Sequence, residues 1–315
     1  MLIFCLLWLP GVTNCGRFIK NKEKNMNIGF IGLGLMGGRM AKNLLKNKKK
    51  LLVYNRTKEK AKELIELGAE FSESPKELGQ NSDIVFTMLS NPDAVSNLAL
   101  GVDGFLNSMK QNSIWVDCST VNPSFSVTVS RIAKGMDVRF VDAPVAGTIH
   151  PAEKGELIFT VGGEKKDVEE IKLLLECMGK KIIHVGESGK GTSLKIVLNL
   201  LLGNAMNAFS EALVLGEAMG ISKEVLLNTI IGGPLAAPFL SGKKEKFADN
   251  NYETEFPLAL MHKDLQLASV TGFEKNISLM LTNTSKEIFG LAKNSGFGKE
   301  DFSAVYKYLA ENNLK

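Results

Sequence analysis

Lys195 and Asn199 stand four residues apart in the run GKGTSLKIVLN, residues 189–199, and so share one face of any helix formed there. An amine and an amide on one helical face, set among residues that otherwise look buried, make a candidate functional pair. Two plainer readings stay open: a lysine stem that runs out to solvent, or a structural ion pair. Other residues with chemistry to offer gather in three places. Gly32-Leu33-Gly34-Leu35-Met36-Gly37 is a G-x-G-x-x-G run, Ser119-Thr120 follows SIWVDC, and Asp142-Ala143-Pro144-Val145-Ala146-Gly147-Thr148 follows a short apolar run. The glycine run lies between an apolar segment (Ile28, Phe30, Ile31) and a helical pattern (Met36, Met40, Leu44, Leu45). In that context Gly32 allows a tight turn, Gly34 lets a pyrophosphate approach the backbone, and Gly37 lets the helix pack close to the strand. The phosphates would sit on the helix N-terminus, where amide groups have no intrahelical partner.

Dinucleotide sites for NAD carry an acid about 20 positions beyond the glycines to bind the ribose 2′-hydroxyl. Here that place holds Asn55-Arg56-Thr57. A guanidinium and a hydroxyl suit a 2′-phosphate, whereas a carboxylate would repel it. The expected cofactor is therefore NADP(H), with NAD(H) as the alternative.

The elements that must position these groups follow from periodicity. Strands are expected at residues 28–31, 51–54, 69–71, 83–89, 113–117 and 138–142, alternating with helices, the pattern of a parallel doubly wound sheet. Asn91-Pro92 opens one helix as N-cap and first helical residue, and Gly68 closes another. Strands at 157–161 and 181–185, with a helix between, extend the domain to about residue 187. Thereafter apolar residues recur at helical spacing over 192–219 without a proline, and the rest reads as helices. A helix of about 28 residues would run about 42 Å, a length suited to linking two domains or lying at a subunit interface. The fold class is α/β: a Rossmann-type doubly wound sheet over residues 26–187, joined by a long helix to an all-helical domain over 188–315.

Composition narrows the function classes. The 315 residues are 44% hydrophobic and 23% charged, ordinary values for a soluble protein. The net charge is +4, of which Arg17, Lys20, Lys22 and Lys24 less Glu23 supply +3, so no basic face for nucleic acid is implied. KNKKK at 46–50 reads as a solvated helix end. The four cysteines (Cys5, Cys15, Cys118, Cys177) and three histidines (His150, His184, His262) show neither disulfide nor metal-ligand spacing. No metal, nucleic-acid or membrane partner is expected, and a reducing cytosol is. Residues 1–25 begin with a short apolar run lacking a preceding positive charge. The expectation is a natural start at Met26, with export implied only if 1–25 is a real leader.

Taken together, FIGLGLMGGRM, DCST, DAPVAGT, GKGTSLKIVLN and FPLALMHKDLQLA resemble the β-hydroxyacid dehydrogenase family over nearly all of the chain from Met26. The likeness is greatest to its NADP-linked glyoxylate/succinic semialdehyde reductase branch, through Asn55-Arg56-Thr57, Pro151-Ala152-Glu153 and GFGKEDFSAV. The resemblance implies an NADP(H)-dependent oxidoreductase that interconverts small semialdehyde or keto acids and hydroxyacids. It implies Lys195 as the general acid and base, Asn199 as a substrate holder, and Gly147 with its neighbours Ala146 and Thr148 as a carboxylate loop. Thr120 would face that loop, and Phe256 would wall the pocket. The cofactor would meet Gly32, Leu33, Gly34, Leu35, Met36, Gly37, Asn55, Arg56, Thr57, Met88, Leu89 and Thr120, with Lys263 and Asp264 near its nicotinamide and ribose. A small carboxylate-bearing substrate and a homodimer or homotetramer are implied as partners. Ala146 departs from the family's usual serine and removes one hydroxyl contact. The rival readings are a non-catalytic nucleotide-binding module and an imine reductase. Known non-catalytic relatives have lost the lysine that stands here as Lys195, and imine reductases usually replace it with an acid or tyrosine. A third, like 6-phosphogluconate dehydrogenase, would need a cationic phosphate cluster that these motifs do not offer.

Overall fold

A computed structural model describes residues 26–314; the expectation for residues 1–25 lies outside the described residues. Its centre is a nine-stranded sheet of order β3-β2-β1-β4-β5-β6-β8-β7, with β9 added beside β8. Strands β1 (Ile28–Ile31), β2 (Leu51–Tyr54), β3 (Glu70–Phe71), β4 (Ile84–Thr87), β5 (Ile114–Asp117) and β6 (Arg139–Asp142) all pair in parallel. Every residue of β1, β4 and β5 is buried, as near-continuous apolar runs covered on both faces require. The expected strand at 83–89 is shorter, because Met88 and Leu89 already turn away into the loop at the sheet's carboxyl edge.

The far edge departs from an all-parallel sheet. β7 (Val145–Ala146) and β8 (Leu157–Gly162) run antiparallel to each other, and β8 is antiparallel to β6. The loop after β6 thus doubles back as a strand, which periodicity over two residues cannot announce. β9 (Gly179–Gly186) follows its helix directly and is longer than expected.

Helices cover both faces: α1 (Gly37–Lys46), α2 (Lys62–Glu66), α3 (Pro75–Asn81), α4 (Pro92–Leu100), α5 (Pro123–Gly135), α6 (Ile149–Lys154) and α7 (Lys165–Met178). Asn91 Oδ1 accepts from Ala94 N at 2.8 Å, the expected N-cap, and Gly68 takes the left-handed conformation (φ +99°) past the end of α2. One core lies beneath α1, α7 and the sheet (Phe30, Met40, Phe86, Phe159). A second lies on the opposite face around Trp115, flanked edge-on by Phe105 and Phe140.

Helix α8 (Lys190–Ala218) spans 29 residues, about 43 Å. By length and composition alone it could cross a membrane; here it packs against β8, α11 (Leu258–Glu274), α12 (Met280–Asn294) and α13 (Val305–Asn313). With α9 (Lys223–Ile230) and α10 (Lys244–Ala248) these form an all-helical domain with its own core around Phe247 and Phe289.

Candidate functional site

At the carboxyl ends of β1 and β4, where the strand order reverses, the glycine turn opens. Gly32 has φ +98°, and a Cβ there would fall 2.4 Å from Met88 O. A Cβ on Gly37 would fall 1.9 Å from Gly32 O, so only glycine lets α1 approach the turn this closely. A Cβ on Gly34, by contrast, would meet nothing within 4 Å. That open face is the space a pyrophosphate needs. The start of α1 has no side-chain cap and no acid in its first turn, so nothing there opposes an anion at the positive end of the helix. The residues present therefore fit a dinucleotide.

Asn55 closes the turn from the end of β2. Its Oδ1 accepts from Leu33 N at 2.9 Å and its Nδ2 donates to Thr57 O at 2.9 Å. The Leu33 side chain is buried in the core, so its backbone is what it offers the turn. Arg56 and Thr57 are exposed beside it, and Arg56 makes no ion pair with the described residues.

A cleft of about 490 Å³ begins at this turn and runs between the sheet's carboxyl edge and the helical domain. Leu35, Met36, Met88, Leu89, Thr120, Ala146, Gly147 and Thr148 line it from the sheet side. Lys195, Asn199, Phe256, Lys263 and Asp264 line it from the helices. Residues spread over more than 220 positions of sequence are thus brought to one cavity.

The helical wall is organised by charge. Asp264, 2% exposed, accepts from Asn199 Nδ2 at 2.5 Å through Oδ2 and meets Lys263 Nζ at 2.8 Å through Oδ1. Lys263 Nζ also donates to Thr120 O at 2.8 Å, which ties the helical domain to the sheet. Lys195 is buried, and no carboxylate of the described residues pairs with it directly. Burial pushes its ammonium down to about 8; the Asp264 carboxylate pulls it back up and the Lys263 charge pushes it further down. An amine that titrates near working pH can both give and take a proton.

Of the Ser119-Thr120 pair, Ser119 turns inward: it is 1% exposed, and its Oγ accepts from Leu89 N at 2.9 Å. The neighbouring Asp117 accepts from Ser119 N and Thr87 Oγ1, and burial lifts the Asp117 carboxyl to about 6. This network shapes the turn from within and leaves Thr120 alone of the pair at the cleft.

The far wall was not foreseen. Phe239, Lys243, Glu255 and Phe302 line it. Lys243, 5% exposed, donates to both Glu255 Oε2 and Asp301 Oδ2 at 2.9 Å. Asp301 Oδ2 further accepts from the backbone of Glu255 and Phe256, which fixes the aromatic wall. The partners are separated by up to 58 residues, so no local spacing signals them. Among the described residues no cluster could hold a metal ion.

A mostly parallel sheet with a phosphate-ready turn at its switch point, opening into a cleft with a buried lysine, defines a nicotinamide-dependent oxidoreductase. Residues 27–186 match the NAD-binding domain of 6-phosphogluconate dehydrogenase, and residues 189–309 match the NAD-binding domain of NADP-dependent 3-hydroxyisobutyrate dehydrogenase. The chain belongs to the β-hydroxyacid dehydrogenase family. It is 37% identical to glyoxylate/succinic semialdehyde reductase 1 of Arabidopsis thaliana over 89% of this chain and 97% of that one. It is 38% identical to 2-(hydroxymethyl)glutarate dehydrogenase of Eubacterium barkeri, over 90% and 95%. Among solved structures, 3-hydroxyisobutyrate dehydrogenase of Mycobacterium tuberculosis with L-serine superposes with a TM-score of 0.82 at 28% identity, covering 90% of this chain and 99% of that one.

Proposed function

We propose that the protein reduces small carboxylates bearing an aldehyde or ketone to hydroxyacids with NADPH, and that Lys195 is its general acid. The carrying observation is Lys195 itself: buried, with a pKa near working pH, in one cleft with the Ala146-Gly147-Thr148 loop. Pairing of β7 with β8 ends at Ala146, so the amides of Gly147 and Thr148 lie beyond the last paired residue of the ladder. Together with the Thr120 and Thr148 hydroxyls they suit a carboxylate. When bound, the nicotinamide supplies the hydride. Lys195 Nζ gives its proton to the oxygen of the carbonyl and, in the reverse direction, takes it back. Asp264 fixes the Asn199 amide beside it. Apolar walls from Leu198, Leu202, Phe239 and Phe256 keep water from the reacting carbon.

The names of the Arabidopsis and Eubacterium relatives, both acting on small acids, support this substrate class. Exposed Arg56 beside Thr57, with no acid at that strand end, supports NADPH over NADH. The experiment is a panel of glyoxylate, succinic semialdehyde, tartronate semialdehyde and propanal with NADPH, run on the unmodified enzyme and on Lys195→Ala. The acids are expected to turn over far faster than propanal. Lys195→Ala is expected to lose roughly 10²- to 10⁴-fold in kcat with NADPH binding unchanged. Propanal reduced as well as glyoxylate would remove the carboxylate role of the loop, and near-normal turnover of the variant would return Lys195 to structure.

A second copy of the chain completes the proposal. Along α8 one face carries Val197, Leu201 and Leu215 exposed, the last two by 65% and 61%, with Met219 just past its end. Phe273, Ile277, Met280 and Leu281 are exposed where α11 passes into α12. Apolar area of this extent on a helix that packs in the core supports a self-complementary interface.

A further inference from the structure

The residue that seats the lysine-bearing helix lies in the other domain, on the strand that feeds the substrate loop. Asp142, the last residue of β6, is 1% exposed. Its Oδ1 accepts from Gly189 N at 2.6 Å, and its Oδ2 accepts from Thr192 N at 2.7 Å and Thr192 Oγ1 at 3.0 Å. Gly189 is the N-cap of α8 and has no side chain with which to cap it, and the first turn of α8 holds no acid. The carboxylate from β6 therefore does from outside what a capping side chain does from within: it satisfies two orphan amides and sets a negative charge on the positive end of the helix. The fit leaves no slack. A Cβ on Gly191 would fall 2.4 Å from Thr160 O and 2.6 Å from Gly162 N, so the first turn of α8 lies directly on β8. Thr192 also shares a hydrogen bond of 3.0 Å with Ser126 of α5.

Two consequences meet at this carboxylate. Four residues after Asp142 begins the loop Ala146-Gly147-Thr148, and three residues after Thr192 stands Lys195. One rigid group thus holds both the base of the loop and the first turn of the helix.

We propose that Asp142 is a positioning residue that registers Lys195 against the substrate loop, so that proton donor and bound carbonyl meet at a fixed distance. The proposal rests on the reading of Lys195 as general acid. Asn at this place would keep one acceptor and turn a donor toward an amide, loosening either Gly189 or Thr192. A misplacement of about 1 Å at the reacting group can cost about 10²-fold in rate.

The test is a double-mutant cycle on the full chain, with kcat for glyoxylate reduction, NADPH affinity by fluorescence and thermal midpoint read for each protein. Asp142→Asn in the otherwise unmodified enzyme is expected to lower kcat by roughly 10- to 100-fold while NADPH affinity stays within about twofold. Made on top of Lys195→Ala, the same change is expected to cost less than about twofold, because a residue that acts through the lysine has nothing left to position. Should Asp142→Asn fold poorly, Thr192→Val removes the hydroxyl's bonds to Asp142 and Ser126 and leaves the backbone pair. It is read beside Ser126→Ala, which removes only the Ser126 bond and is expected to leave kcat within about twofold. Thr192→Val is expected to lower kcat several-fold under the same non-additivity, and Thr192→Ser to restore it. Equal losses in both backgrounds, or NADPH affinity falling in step with kcat, would reduce Asp142 to a general support of the fold. Near-normal turnover of Lys195→Ala alone would instead remove the acid role on which the proposal stands.

Discussion

Lys195 is a cation held where water is scarce, and the proposed acid role draws on that cost. Below about 8 the amine is protonated and can act as the acid; above it, as the base. The kcat for carbonyl reduction is therefore expected to fall as pH rises through about 8, and kcat for hydroxyacid oxidation to rise over the same range. Parallel pH profiles in the two directions would speak against the assignment. Arg56 poses the opposite case, an exposed side chain with no competing partner among the described residues. A charge-assisted contact of its guanidinium with a 2′-phosphate is expected to contribute about 1.5–3 kcal/mol. Arg56→Ala should narrow the NADPH-over-NADH ratio of kcat/KM accordingly, and equal use of both cofactors before mutation would dismiss the preference.

At the scale of elements, α8 is the part on which both domains depend. Its first turn is clamped to β6 and β8, its buried face carries Lys195 and Asn199, and its later turns help to build the helical core. Gly191→Ala is expected to lift that first turn off the sheet, since the intruded atoms are backbone and cannot rotate away. A loss of about 1–3 kcal/mol in chemical unfolding should result. The same variant should lose activity at temperatures where it remains folded. Unchanged stability would mean that the close contact of α8 with β8 does not persist in solution.

The whole molecule places its cleft between a domain that carries the glycine turn and one that carries the buried lysine. Lys263 reaching Thr120 O and Asp142 reaching Thr192 cross that division. The exposed apolar face of α8 is expected to be covered by a second copy. In light scattering coupled to size exclusion, the protein should run as a dimer or tetramer. Leu201→Glu combined with Leu215→Glu should shift it to monomer, and a monomeric unmodified protein would end the idea.

Much of this was legible in residue order. The glycine turn, the buried strands, the Asn91 cap and the length of α8 are set by sterics and periodicity within a few residues, so their signals are local. The i, i+4 relation of Lys195 and Asn199 is of the same kind, and the family resemblance drew on these motifs in one order. Other features required the folded chain. β7 is a strand only because β8 returns beside it. Ser119 turns inward because Leu89 N needs an acceptor. Lys243, Glu255 and Asp301 join to brace the far wall only once residues up to 58 apart are packed together. The depressed pKa of Lys195 belongs to this second group. Desolvation and the net effect of Asp264 and Lys263 are properties of a closed interior, and no order of residues carries them until distant segments exclude water together.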